Sequence, residues 1–248
     1  MVGFLDLHSH MLPSVDDGAK DIEEMKKMME LAYNDGIRAI CFTPHFKLYE
    51  FEDEEQIERY NAHINRIFND ACNYASAEYE DMSLFLGSEI MCHSDVAESI
   101  SENFCKNIAN TSYVLIEFHF KASFYDIKNT VTKLSRKGFI PIIAHAERYS
   151  ELVKKPARVT ELKELGALIQ INARSVTNIR FGRVARFIKK VFKKMLVDII
   201  ATDAHDSSHR TPILSEAFEK ISAKYGEGYA KKLFVENPNS ILNKCSKE

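Results

Sequence analysis

The sequence predicts an α/β protein of barrel type, a single domain spanning residues 1–248, and three observations lead there. Seven short apolar, β-branched runs alternate with longer segments of helical period. The runs are almost continuously apolar, as parallel strands buried on both faces must be. The length, 248 residues, lies near the roughly 250 of an α/β barrel, and no linker, low-complexity stretch or internal repeat divides it. A doubly wound open sheet is the alternative arrangement of the same units.

The elements follow in order. VGFLDLH (2–8) is the first strand, and Asp21, with Glu24 three residues on, caps a helix over 21–34 that ends before Gly36. IRAICFT (37–43) and a helix over 54–78 come next, then LFLGSE (84–89) with 95–107, and YVLIEF (113–118) with 124–137. FIPIIAH (139–145) precedes a helix over 156–165, ALIQIN (167–172) one over 176–194, and LVDIIAT (196–202) the closing helical segment 212–237. The basic run RVARFIKKVFKK (183–194) reads as the solvated face of an amphipathic helix.

Composition narrows the function. A formal charge of −3 supplies no basic excess to neutralise phosphates, so nucleic acid is not an expected partner. No basic segment followed by a long apolar one opens the chain, and nowhere do 18 uncharged apolar residues run together, so a soluble cytoplasmic protein without direct membrane insertion is expected. Five cysteines (41, 72, 92, 105, 245) form no CxxC pair, which suits a reducing compartment, and none opens a C-x5-R phosphate loop.

What stands at the carboxyl end of each run is more informative, because barrel chemistry sits there. His8 and His10 share one face of a strand, a chelate geometry, with Asp16 and Asp17 following; a polar loop after an edge strand is the alternative for that stretch alone. Then come Thr43-Pro44-His45, Glu89, Glu117, His145 with Glu147 and Arg148, Asn172, and finally Asp203, His205 and Arg210. His63 lies mid-helix on a polar stretch, whereas His93, His119 and His209 fall in loops near the site. A carboxylate closing an apolar strand, as Glu89 and Glu117 do, needs a partner. Histidine with carboxylate and no thiolate suits Zn, Mn or Fe rather than calcium, and nine candidate ligands imply two or three ions.

HSH (8–10), DDGA (16–19), TPH (43–45), GSE (87–89), IEF (116–118), IAHAERY (143–149) and TDAH (202–205) together resemble the polymerase and histidinol phosphatase (PHP) family. More narrowly they resemble its bacterial manganese-dependent protein-tyrosine phosphatases of capsule and exopolysaccharide synthesis, over residues 4 to about 238, with DDGA and HAERY the specific part. The resemblance implies a distorted (β/α)7 TIM-like barrel and three divalent ions, manganese first, with iron or zinc possible. It implies that His8, His10 and Asp203 hold one ion, that Glu89 bridges to a second held also by Glu117 and His145, and that Asp17, His45 and His205 hold the third. Phe46 and Ala146 depart from the residues common in relatives, and neither is an implied ligand.

Four carboxylates against three divalent ions leave about +2 before any bound hydroxide, a charge suited to a dianionic phosphate ester. A metal-bridging water with its pKa lowered towards about 7 would attack phosphorus in line, and a phenolate leaving group, pKa about 10, needs little protonation. Arg148 and Arg210, past the implied ligands in sequence, are the expected phosphate-binding and catalytic cations; ion pairs with Glu147 or Asp206 are the alternative. The rival enzymes are a histidinol phosphatase or other small-metabolite phosphomonoesterase, and a phosphodiesterase or nuclease, the last disfavoured by the acidic balance. A catalytically silent PHP binding module is the rival of another class, although every ligand position is present. The partner implied by the resemblance is a phosphotyrosine protein, the Tyr-rich tail of a membrane-linked polysaccharide tyrosine kinase.

Overall fold

The computed structural model describes residues 3–243, so Met1, Val2 and Cys245 lie outside the described part. Every strand pairing is parallel. The strands are β1 (Phe4–Ser9), β2 (Ile37–Phe42), β3 (His45–Phe46), β4 (Ser83–Leu86), β5 (Glu89–Met91), β6 (Tyr113–Glu117), β7 (Ile140–Ile143), β8 (Leu168–Asn172) and β9 (Ile199–Ala201). They order as β1-β2-β4 and β3-β5-β6-β7-β8-β9, a mixed α/β fold with one curled, half-barrel-like layer of strands.

Two expected strands are split, and the splits lie side by side. β2 pairs with β4 as far as Phe42 and Leu86, and the pairing resumes three residues on between β3 and β5, where His45 lies opposite Glu89. Pro44 has no N–H to continue a ladder, and a Cβ on Gly87 would come within 2.8 Å of Ile108 Cδ1. Glu89, expected to close a strand, therefore opens β5.

At the far edge β9 lies beside β1, and the segment just after β9 bonds to it: Ser9 bridges Ala204, the His10 N–H donates to Ala204 O (2.8 Å) and the Asp203 N–H donates to His8 O (2.9 Å). Deeper down, the Thr202 N–H donates to the buried Asp6 carboxylate at 3.0 Å. Burial pushes Asp6 up to about 6 against the opposing pull of the Thr202 hydrogen bonds.

Alternate strand residues feed two cores. Ala39, Cys41, Leu115, Ile142 and Ile199 pack with Ile241 and Leu242 from the chain's end, while Ile40, Val114, Ile143 and Ile200 pack against the helices. The helices are α1 (Ile22–Asn34), α2 (Glu54–Glu78), α3 (Val96–Ser101), α4 (Phe124–Arg136), α5 (Ser150–Lys154), α6 (Ala157–Glu164), α7 (Ala173–Asn178), α8 (Gly182–Lys193), α9 (Ser215–Tyr225), α10 (Glu227–Lys231) and α11 (Asn237–Leu242). Asp21 caps α1 as expected, its side chain accepting from the Glu24 N–H at 2.8 Å.

Three expected helices are interrupted or shortened, and one helix was not expected. The segment 95–107 is helical only to Ser101, while α5 precedes the expected helix 156–165, which forms α6 after Pro156. Gly182 (φ 94°) and Gly226 (φ 95°) adopt left-handed backbone and divide 176–194 and 212–237, a conformation open to glycine without a Cβ clash. No helix among the described residues is long and apolar enough to cross a membrane.

Candidate metal centre

The strand ends converge on one cluster. His8 Nε2 and His10 Nε2 lie 3.2 Å apart, and each faces Glu89 Oε2 (3.3 and 3.2 Å) and Asp203 Oδ1 (3.4 and 3.6 Å). His45 turns Nδ1 to Glu89 Oε2 (3.0 Å) and Glu117 Oε2 (3.7 Å), and Nε2 to Asp17 Oδ1 (3.3 Å). His205 Nε2 reaches the same Asp17 oxygen at 3.5 Å, and His145 Nε2 lies 2.7 Å from Glu89 Oε1. All nine sequence candidates thus meet in one place.

Their grouping differs in part from the expected one. His8, His10, Glu89 and Asp203 form one potential chelate, as expected. The second comprises Glu89 and Glu117 with His45, and His10 joins Asp17, His45 and His205 in the third. His145, expected in the second, turns Nε2 to Glu89 Oε1 (2.7 Å) and Glu117 Oε1 (3.5 Å), and its Nδ1 lies 3.4 Å from the Tyr149 hydroxyl. The side-by-side kinks of the split strands put His45 next to Glu89, which no spacing in the sequence discloses.

Two buried atoms test whether metal fits. His45 Nδ1 and Glu89 Oε2 form no hydrogen bond although they lie 3.0 Å apart. Unpaired buried polar atoms are costly, and here both aim at a space ringed by other ligand atoms, as donors to a common cation would. The residues present fit divalent metal of the borderline kind.

The charges support this. Burial alone would raise Glu89 and Asp203 and lower His8 and His10, yet mutual attraction wins: Glu89 is held well below the usual carboxylate range, Asp203 likewise, and His10 is lifted to about 10 by Asp16 and Glu89. Burial and the neighbouring His10 charge push His205 down to about 4, leaving a neutral imidazole with a free lone pair at pH 7. Burial and the adjacent Glu89 carboxylate raise Glu117.

Supporting residues hold these side chains in place: Asp16 and Asn172, noted at strand ends in the sequence, and Gln170, which the sequence reading passed over. Asp16 faces His10 Nδ1 at 2.7 Å and accepts from the His45 N–H at 3.0 Å. Gln170, polar within the apolar run of β8, accepts from the His145 N–H (2.6 Å) and donates to Asn172 Oδ1 (2.8 Å), and Asn172 donates to Asp203 Oδ2 (2.7 Å). The signal was present: a polar side chain in a buried strand must be satisfied by something. His145 and Asp203 both adopt left-handed backbone (φ 31° and 53°), strain of a kind concentrated at functional sites.

Neither Arg148 nor Arg210 pairs with Glu147 or Asp206 through its guanidinium: both donate to Asp203 Oδ2, at 2.5 and 2.8 Å. They line a cavity of about 510 Å3 that opens beside the cluster. His63 is exposed, as expected; His209 lines the cavity but is exposed, and His119 stacks on Phe120.

Gly18 shows how tightly the DDGA loop is set. A Cβ there would lie 1.9 Å from His10 O, so Gly18→Ala must displace the loop carrying Asp16 and Asp17. Displacement of ligands by about 1 Å typically costs about 100-fold in turnover. A fall of that size, with fewer bound ions by elemental analysis, is expected; unchanged kinetics and metal content would show the loop to be tolerant.

The comparisons with known proteins agree with this site. Residues 4–243 match the family model described as capsular polysaccharide synthesis, CpsB/CapC. The chain is 33% identical over 243 residues to tyrosine-protein phosphatase CpsB of Streptococcus pneumoniae, covering 96% of this chain and 98% of the relative. It is 31% identical over 231 residues to tyrosine-protein phosphatase YwqE of Bacillus subtilis, covering 90% and 85%. Its structure superposes with a TM-score of 0.83 and 27% identity, over 98% of this chain and 95% of the other, on a crystal structure from the pair YwqE and CpsB, described as unique metal-dependent tyrosine phosphatases. A histidinol phosphate phosphatase of Lactococcus lactis, 12% identical with a TM-score of 0.56 over 93% and 94%, shares the fold alone. The chain belongs to the CpsB/CapC family of capsular polysaccharide synthesis.

Proposed function

We propose that this protein is a metal-dependent protein-tyrosine phosphatase regulating capsular or exopolysaccharide synthesis, with His8, His10, Asp17, His45, Glu89, Glu117, His145, Asp203 and His205 holding three divalent ions, manganese first. The observation that carries the reading is the convergence of nine ligand-type side chains around two buried atoms without hydrogen bonds. The relatives at 30% identity or more named as tyrosine phosphatases favour this activity over a small-metabolite phosphatase. When bound, the ions supply Lewis acidity towards a phosphoryl oxygen and a nucleophile from water at neutral pH.

The chain's own groups do the rest. Arg148 and Arg210 bind and orient the phosphoryl oxygens, which offer better acceptors than the shared Asp203 oxygen they hold without substrate. Asp16, Gln170 and Asn172 fix the rings and carboxylates, and a tyrosine leaving group with a pKa of about 10 departs without a dedicated acid. The intact ligand set weighs against a silent binding module. Counting each kinked run once supports a seven-unit barrel in one domain over 1–248, and cysteines that are unpaired among the described residues suit a cytoplasmic setting. The proposed partner is a phosphotyrosine protein, the tail of a polysaccharide tyrosine kinase.

Arg148→Ala and Arg210→Ala test the clamp. Each removes charge-assisted hydrogen bonds worth roughly 2 to 4 kcal/mol in the transition state, so kcat/KM on a phosphotyrosine peptide falls about 30- to 1000-fold. Lysine restores part of it. Metal content stays near normal, because Asn172 still donates to Asp203 Oδ2. Normal kinetics in both variants would remove the clamp; loss of metal with activity would make the arginines scaffold.

A further inference from the structure

The basic run set aside above as a solvated helix face is not an ordinary surface. Of the 33 Lys and Arg in the chain, eight lie between Leu165 and Val197, and of the 36 Asp and Glu none does. These eight begin at Arg174 in α7 and continue through Arg180, Arg183 and Arg186 to the lysines that end α8. No ion pair engages any of them among the described residues, although exposed pairs are common elsewhere on this protein.

Their placement is directional. The 510 Å3 cavity beside the metal cluster is lined by Arg148 and Arg210, which contact Asp203, and by Arg174 and Ile179 from α7 and just after it. Arg180, next in the chain, lines a second hollow of about 360 Å3 with Phe181, Arg186 and Lys189. Arg186 is shared with a third, of about 370 Å3, that also takes Arg183, Lys190 and Lys154. Three hollows thus follow the α7–α8 stretch in chain order from the site, and each is lined by at least one cation of that stretch without an ion pair among the described residues. Phe181, 89% exposed, stands among them as an apolar contact. The first cavity is also lined by Glu216 of α9, whereas no carboxylate lines the other two.

We propose that α7 and α8 form a cationic track that binds anionic side chains flanking the target phosphotyrosine, so that the enzyme prefers peptides with acidic or additionally phosphorylated residues on one side. This deepens, and rests on, the phosphatase reading. A concave, single-sign surface raises the local concentration of an oppositely charged ligand, and a chain of hollows suits an extended peptide better than a flat bilayer. Two or three screened pairs along the track are worth about tenfold in specificity.

The test compares kcat/KM for three peptides around one phosphotyrosine: neutral flanks, flanks of Asp and Glu, and flanks with a second phosphotyrosine. Affinity is measured in parallel with the same three peptides carrying a non-hydrolysable phosphonate in place of the central phosphotyrosine. The readout is the ratio of anionic-flanked to neutral peptide in the metal-loaded wild type, in Arg174→Glu, and in the double variant Arg183→Glu with Arg186→Glu. A wild-type ratio of about ten, falling towards one in both variants and at 0.5 M salt, is the expected result; the two anionic peptides separate carboxylate from phosphate preference. A wild-type ratio near one, or one unchanged by both variants, overturns the track. So does sedimentation with phosphatidylglycerol vesicles, lost in the same variants, when no peptide preference is seen. Absence of all hydrolysis would count against the phosphatase reading and leave the affinity ratio to judge the track.

Discussion

Chelation with EDTA is expected to abolish phosphotyrosine hydrolysis by this protein, manganese to restore it, and thiol alkylation to leave it unchanged. The expected loss is at least about 1000-fold, because no other group at the site supplies a nucleophile at neutral pH. The thiols offer no substitute: burial raises Cys41, Cys72 and Cys92 and pushes Cys105 up to about 12, and none lines the metal cluster. Protein purified without chelator is expected to carry two to three ions per chain. Metal uptake also has a pH sign. Without metal, His8 and His10 hold protons more tightly than free histidine, and a metal must displace them, so affinity weakens by about tenfold per pH unit for each proton released as pH falls. Elemental analysis, manganese titrations at pH 6 and 8, and kinetics with iodoacetamide or EDTA check the set. Less than one ion per chain after metal is supplied, or sensitivity to alkylation with indifference to EDTA, would remove the metal mechanism.

Glu89→Gln is expected to cost about 1000-fold in kcat/KM and at least one bound ion. Glu89 is the single side chain within 3.3 Å of four imidazoles, those of His8, His10, His45 and His145, and it belongs to two of the three potential chelates. The amide keeps the shape but loses the negative charge, which the surrounding histidines, His8 first, keep ionised far below the usual carboxylate range despite burial. Two ions that shared one anionic oxygen donor would then meet a neutral group, and the four rings would lose their common counter-charge. Metal content and steady-state kinetics on the same preparation, with circular dichroism to verify the fold, decide the matter. Retention of both ions and activity would mean that His45 and His145 suffice without the bridge.

These outcomes bear on how far the residues alone could lead. Alternation of apolar runs with helical segments determined the parallel α/β layering, because burial on both faces demands continuous apolar strands and the intervening helices cover them. The same pattern pointed to the candidate ligands, since a histidine or carboxylate at the end of a buried strand needs a partner and barrel strands end at a common mouth, while their assignment to ions came from the resemblance. Helix breaks at Gly182 and Gly226 were readable in principle, but apolar periodicity runs on through a glycine, and the choice of left-handed backbone belongs to the packed chain.

What only the tertiary structure decided is who stands beside whom. His45 and Glu89 are 44 positions apart in the chain and become neighbours because two strands kink at the same level, at Pro44 and at Gly87. Arg148 and Arg210, read as free phosphate clamps, close on Asp203, whose left-handed backbone turns its carboxylate between them and the histidines. Gln170 and Asn172 matter through contacts made across the curl of the sheet. Side-chain type and strand register are local properties, set by neighbours one or two residues away. Which oxygen faces which nitrogen depends on strand kinks, curl and strained turns that are selected jointly by the packing of the whole chain, and no window of sequence carries that information.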